Sequence, residues 1–402
     1  MSKIINISAL QILDSRGQPT IETEVEIEGG RKAKASVPSG KSRGALEALN
    51  VDIPHAIQYI SGSLKQKLVG LEATSQRKID RAMIALDGTE NKRRLGANSI
   101  LSISMAVSRV AAMEEMIPLY VYLGLLTTLR PQYRIPSPMF NLINGGVHAK
   151  NNLNIQEFMV VPTGFSTFKE KLEAGIKIFQ NLKKIIEQKG LSFELGDEGG
   201  FAPNLNNEIE ALNLLLEAIK ISGYEPKKQV WLALDVAASA FPEGTRYDIP
   251  FYLNLVNQYP ILSIEDPFAE DEWYLWSQFR LELERAGREI LLVGDDVFTT
   301  NLSRLQRGVT SYVANSILIK LNQIGTLSET LEVIDMAKRN QYPHIVSHRS
   351  GETLDNYIAD LAVATGAAYL KAGASNPDKK ERMVKYERII QIEEELNAKA
   401  VV

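Results

Sequence analysis

The chain has no cysteine in its 402 residues. That excludes disulfides, thiolate metal sites and cysteine nucleophiles, and it fits a reducing compartment. No apolar run approaches the roughly eighteen residues that a membrane-spanning helix requires. The opening residues, MSKIINISALQILDSRG, lack the basic head, apolar core and small-residue cleavage site of a secretory signal. Neither charge is in excess: 45 Lys and Arg against 49 Asp and Glu leave a net charge of −4. Nothing therefore points to nucleic acid or an anionic membrane as the main partner. Low-complexity segments are absent as well. The expectation is a soluble, cytoplasmic protein. What is present is ordinary for a globular chain, 45% hydrophobic and 23% charged, and long enough for one to three domains around a large core.

Against this plain background one regularity stands out. Asp235, Glu265 and Asp295 each end an apolar run (WLALD, PILSIE, ILLVGD) and follow one another at intervals of thirty residues. The series continues through SILIK to Lys320, HIVSH to His348 and AAYLK to Lys371. A short apolar run ending in an ionisable residue is expected of a buried parallel strand whose last side chain emerges from the sheet. Repeated with helical patterns between, it predicts a (β/α)8-type barrel, which spends roughly 250 residues on eight units. Strand C-termini converge in such a barrel, so three carboxylates, two lysines and a histidine should meet at one mouth.

The first stretch is built differently. IINISALQIL, TIETEVEIE and RKAKASV follow one another with turn signals between them. In the middle run Ile21, Thr23, Val25 and Ile27 alternate with glutamates, as in a half-exposed antiparallel strand. Helical spacing follows, most clearly over 97–115. The expected organisation is an α+β capping domain over 1–128 and a barrel over 129–402, joined by a Pro- and Tyr-rich link at 130–138. Within the barrel, Phe168–Gln188 and Glu208–Ile221 read as helices stopped by Gly190 and Gly223.

The carboxylates of Asp235, Glu265 and Asp295 are hard oxygen ligands suited to Mg²⁺ or Mn²⁺. One strand-end acid is as readily explained by a helix cap or a lysine partner. Three at equal spacing, beside two strand-end lysines, point to a metal. Asp266 and Asp296 read as supporting or helix-capping groups. Lys320, costly to bury unless used or paired, is expected to have a lowered pKa near a cation and a second lysine, and so to accept a proton. Lys371 fits the role of a fixed positive charge. The turn GDEGG (196–200) brings Glu198, with glycines that would let the backbone approach a ligand. INGGVHAKNN (143–152) carries His148, and IQEF (155–158) brings Gln156 and Glu157. In SHRSGE (347–352), Arg349 and Ser350 are expected to pass from a strand into a helix, where their side chains and the helix N-terminal amides would grip a phosphate. VPSGKSRG (37–44) is a polar loop long enough to act as a lid.

Taken together, ILDSRGQPT, LDGTENK, LGANSILSISMA, INGGVHA, IQEFM, GDEGGFAPN, SIEDPF, VGDD, LIKLNQIGTLSET, SHRSGET and KYERIIQIEEEL resemble the signature segments of the enolase family, in the family's order from Ile12 to Leu396. The resemblance implies Mg²⁺-dependent, reversible dehydration of 2-phosphoglycerate to phosphoenolpyruvate. By position, Asp235, Glu265 and Asp295 would bind a first Mg²⁺ and Ser42, in the lid, a second. Lys320 would take the proton from carbon 2, and Glu198, assisted by Glu157, would protonate the departing hydroxyl. Arg349 and Ser350 would hold the phosphate, Lys371 the carboxylate, and His148, Gln156 and His348 would complete the pocket. A homodimer with Arg16 in the subunit contact is also implied.

Some segments depart from the family pattern. The lid reads SGKSRG where SGASTG is usual, placing Lys41 and Arg43 beside Ser42. The segment between Asp235 and Glu265 is short, KAG stands where KTG is common, and a polar stretch is missing after Leu49. The altered lid leaves open an enzyme of phosphonate or other specialised metabolism, resembling carboxyphosphonoenolpyruvate synthase, that binds one more anionic group. A non-catalytic binding or structural homologue is the third reading.

Overall fold

The computed structural model describes residues 2–41 and 44–400, so Ser42 and Arg43 of the lid lie outside the described residues. The chain opens with an antiparallel meander, β1 (Ile4–Leu13), β2 (Pro19–Ile27) and β3 (Lys32–Val37). The alternation in β2 works as expected: Ile21, Thr23, Val25 and Ile27 are buried. On the other face Glu26 meets Lys32 at 3.1 Å and Glu22 meets Lys34 at 3.1 Å. The buried face packs on the helix Ala97–Glu114, where Thr23 Oγ1 and Ser102 Oγ share a 2.7 Å hydrogen bond.

The barrel is closed by eight strands: β4 (Ser137–Asn144), β5 (Glu157–Pro162), β6 (Val230–Asp235), β7 (Ile261–Glu265), β8 (Leu291–Gly294), β9 (Ser316–Ile319), β10 (His344–Ser347) and β11 (Tyr369–Lys371). The periodicity suggests parallel strands throughout. Instead β5 runs antiparallel to both β4 and β6, and the other pairs are parallel. Only an antiparallel pair can be joined by a direct loop without a crossover helix, and residues 145–156 make that loop. The helices Phe168–Gln188 and Glu208–Ile221 have the expected bounds, but no strand separates them, and both fall between β5 and β6. Reversing β5 leaves its end and the start of β6 at the same rim. The two helices must run up and back, which carries the segment between them across the opposite rim.

Beneath that rim the barrel is filled rather than hollow: Met139, Met159, Val161, Ala233, Val293, Leu318 and Ile345 form a buried apolar plug. The remaining core is continuous from the meander to the barrel helices. Buried polar contacts stitch the cap to the barrel. Asp355 accepts from Arg109 at 2.6 and 2.7 Å and from the Ser36 amide at 2.9 Å. Asp80 accepts from the Ser328 hydroxyl at 2.6 Å, and the Ser39 and Gly351 backbones pair at 2.8 and 2.9 Å.

Candidate active site

Register decides which side chains share the mouth. Asn144 is level with Glu157, Glu157 with Asp235 and Asp235 with Glu265. Because β5 is reversed, its first residue reaches the rim that the other strands reach with their last. The turn between the two helices arrives from outside. Phe201 pairs with β4, its amide donating to Leu142 O and its carbonyl accepting from the Asn144 amide, each at 2.8 Å, which brings Glu198 over the mouth. Packing holds Gly200 of this turn close to β4. A Cβ on Gly200 would lie 2.6 Å from Asn144 Oδ1 and 2.7 Å from Asn141 O.

The charges at the mouth interlock. Lys371 Nζ donates to Asp235 at 3.0 Å and Glu265 at 2.9 Å and lies 3.2 Å from Glu157. Burial disfavours its charge, but Asp235, Glu157 and Glu265 outweigh burial and hold it well above the usual lysine range. Lys320 Nζ contacts Asp295, which also accepts from Gln323 at 2.8 Å. The lowering expected of the Lys320 pKa beside a cation is opposed by the protein's own groups. Burial pushes it down, but Asp295 more than offsets burial, and the pKa is raised. Glu157 and Glu198 diverge. Burial, then the nearby Glu198, pushes Glu157 well above the carboxylate range. Burial also acts on Glu198, but His348, His148 and Arg382 override it and hold the pKa well below that range. His148 Nδ1 lies 3.5 Å from Glu198 and 3.6 Å from Glu157, and His348 Nε2 lies 3.4 Å from Glu198. Gln156 donates to Asp235 at 3.3 Å.

His148, Gln156, Glu157, Glu198, Asp235, Lys320, His348, Arg349, Ser350 and Lys371 line one cavity, while Ser42 is outside the described residues. Arg349 and Ser350 do not enter a helix as expected: the next one starts at Tyr357. Backbone pairing of Gly351 with Ser39 holds the segment extended against the cap, so helix N-terminal amides do not contribute there. Arg349 is gripped by Glu47 at 3.0 and 3.3 Å and by Asn322 at 2.8 Å. Arg16 turns inward, to Asp14 at 3.1 Å, Ser39 Oγ at 2.8 Å and Ser350 Oγ at 3.4 Å. Lys41 forms an ion pair with Asp197 at 3.2 Å across the mouth. Asp266 accepts from the amides of Asp295 (3.1 Å) and Asp296 (2.7 Å), fixing the end of β8. Sequence reasoning missed Glu47, Asn141, Asn322, Gln323 and Arg382. Asn322 and Gln323 lie in the LIKLNQIG segment beside Lys320, but nothing local marks the other three.

A divalent cation fits this mouth. His148, Glu157 and Glu198 present ligand atoms all within 4.8 Å of one another, as do Asp266, Asp295 and Asp296. The buried oxygens Glu265 Oε1 and Gln156 Oε1 have no hydrogen-bond partner. Residues 4–123 match the enolase N-terminal domain, and residues 132–402 match the enolase C-terminal TIM barrel domain. The chain belongs to the enolase family. Its α+β cap and closed barrel are the enolase architecture. Enolase membership and the metal-ready acidic mouth support a catalytic function of lyase type, and the family implies a small phosphorylated carboxylate as substrate. Among the described residues, no helix is long and apolar enough to cross a membrane.

Proposed function

We propose that the protein catalyses the reversible, Mg²⁺-dependent dehydration of 2-phosphoglycerate to phosphoenolpyruvate in the cytoplasm. The observation that carries this reading is the meeting of Lys320 with the Glu157–Glu198 pair in one cavity rimmed by Asp235, beside Glu265 and Asp295. A proton next to a carboxylate is scarcely acidic, because its removal adds charge to an anion. Asp235, Glu265 and Asp295 would hold Mg²⁺, with Ser42 at a second ion; when bound, this charge offsets the negative charge that builds on the substrate carboxylate.

The protein's own groups do the rest. Lys320 is the base for the carbon 2 proton. It stays protonated while Asp295 is its partner; engagement of Asp295 by a bound cation would lower that pKa, so that Nζ gives its proton to solvent and can then accept the one from carbon 2. The Glu157–Glu198 pair holds one proton and delivers it to the departing hydroxyl. Lys371 fixes the carboxylate, Arg349 and Ser350 the phosphate, and His148, Gln156 and His348 close the pocket. The apolar plug keeps water from entering beneath. Lys41 is paired with Asp197, which supports 2-phosphoglycerate over a substrate that carries one more anionic group there. We also infer a homodimer, built on the exposed apolar side chains Leu10, Leu13 and Leu354.

The test is phosphoenolpyruvate formation from 2-phosphoglycerate, followed by ultraviolet absorbance across a Mg²⁺ titration. Metal-dependent turnover on the order of 1–10³ per second is expected. Absence of turnover in folded, Mg²⁺-binding protein overturns the substrate assignment.

A further inference from the structure

Arg382 belongs to no step described so far, yet it is fully buried and touches three catalytic-loop positions at once. It sits in the helix Lys380–Ala400 behind the mouth. Its guanidinium donates to the carbonyls of Arg349 (2.8 Å), Ser350 (2.7 Å) and Asp197 (3.1 Å). A fourth contact runs from its NH1 group to His348 Nδ1.

That last contact has a chemical consequence. A neutral imidazole carries one donor nitrogen and one acceptor nitrogen, whereas a guanidinium carries donors only. A nitrogen facing Arg382 can therefore only be the acceptor. The imidazole proton is forced onto Nε2, which lies 3.4 Å from Glu198 Oε2. The same Glu198 oxygen accepts from Asn141 Nδ2 at 3.0 Å. A second cation beside the buried guanidinium is disfavoured, so His348 is kept neutral as well as oriented.

We propose that Arg382 is a positioning residue that locks His348 in the Nε2–H tautomer and so turns that N–H toward Glu198. With the carbonyls of Asp197, Arg349 and Ser350 on the same guanidinium, it also keeps the Glu198 turn in register with the loop that carries Arg349. Its catalytic consequence rests on the proposed role of Glu198; the tautomer itself does not.

The test is a long-range ¹H–¹⁵N spectrum of the ¹⁵N-histidine-labelled protein. The chain has only four histidines, and His348 is assigned as the signal lost in His348→Asn. The unmutated protein is expected to show a protonated Nε2 and a bare Nδ1 at His348. A protonated Nδ1 at His348 in the unmutated protein overturns the proposal, whether or not Arg382→Met folds. In Arg382→Met both tautomers should appear and kcat should fall on the order of 10–100-fold, as for partners lost from behind metal-binding imidazoles. A pure Nε2–H signal in that variant would also overturn it. Nε2–H in a protein that fails to turn over 2-phosphoglycerate would sink the proposed function while leaving the tautomer lock intact. Turnover with Nδ1–H would do the reverse.

Discussion

Gly40 shows how tightly single residues are constrained at this mouth. A Cβ placed on it would lie 1.9 Å from a terminal nitrogen of Arg349, far inside contact distance. Arg349 cannot yield freely, because Glu47 and Asn322 grip its other donors. Gly40→Ala should therefore displace the guanidinium and raise KM for the phosphorylated substrate by about tenfold or more, the equivalent of about 1.4 kcal/mol. An unchanged KM in steady-state kinetics would remove Arg349 from phosphate binding. Lys320→Ala makes a sharper statement about chemistry. Exchange of the carbon 2 proton with solvent, read by NMR, should fall on the order of 10²–10⁴-fold, while Mg²⁺ affinity, measured by calorimetry, holds or tightens because Asp295 loses its competing cation. Retained exchange would leave Lys320 without its assignment.

At the scale of elements, the seam between meander and barrel depends on Asp355, which receives the Arg109 fork and the Ser36 amide. Removing the charge leaves the half-buried Arg109 beside an uncharged amide. Asp355→Asn should cost roughly 1–3 kcal/mol in urea denaturation. Its pH dependence follows from the shift. Burial works against the ionised carboxyl, but Arg109 prevails and holds the pKa below its ordinary value. A depressed folded-state pKa contributes stability that is complete above the unfolded value, about 3.9, and is lost as pH falls through the folded one. The stability gap between the unmutated protein and the variant should be flat near neutrality and close under acid. A gap that persists unchanged in strong acid would assign the cost to packing rather than charge.

For the whole molecule, β1 is an edge strand that leaves Leu10 at 48% and Leu13 at 62% exposure, and Leu354, at 67%, lines the same groove as Leu13. Such a patch on an unprotected edge marks an interaction surface. Sedimentation should show a dimer, and Leu13→Asp should shift it to monomer without altering the circular dichroism spectrum. A monomeric unmutated protein would refute the dimer. Arg16, expected at the subunit contact, also donates to Asp14, Ser39 and Ser350 of its own chain.

Sequence determined what period and residue type can encode. The alternation of β2, the helical spacing of Phe168–Gln188, and the ionisable residues at the ends of β6, β7 and β11 are local, and hydrophobic burial alone writes them into the chain. The reversal of β5 is not local. A short apolar run such as EFMVV reads the same in either direction, so only pairing with β4 and β6 decided that Glu157 meets Asp235. The same holds for electrostatics. Lys320 at a strand end is legible from sequence, but whether burial or Asp295 governs its proton depends on a contact made between the ends of the neighbouring strands β8 and β9. Glu47 and Arg382 lie far in the chain from the residues they hold, and no spacing rule connects them. Tertiary structure chose the partners because charge and hydrogen bonding act through space, while periodicity records only position along the chain.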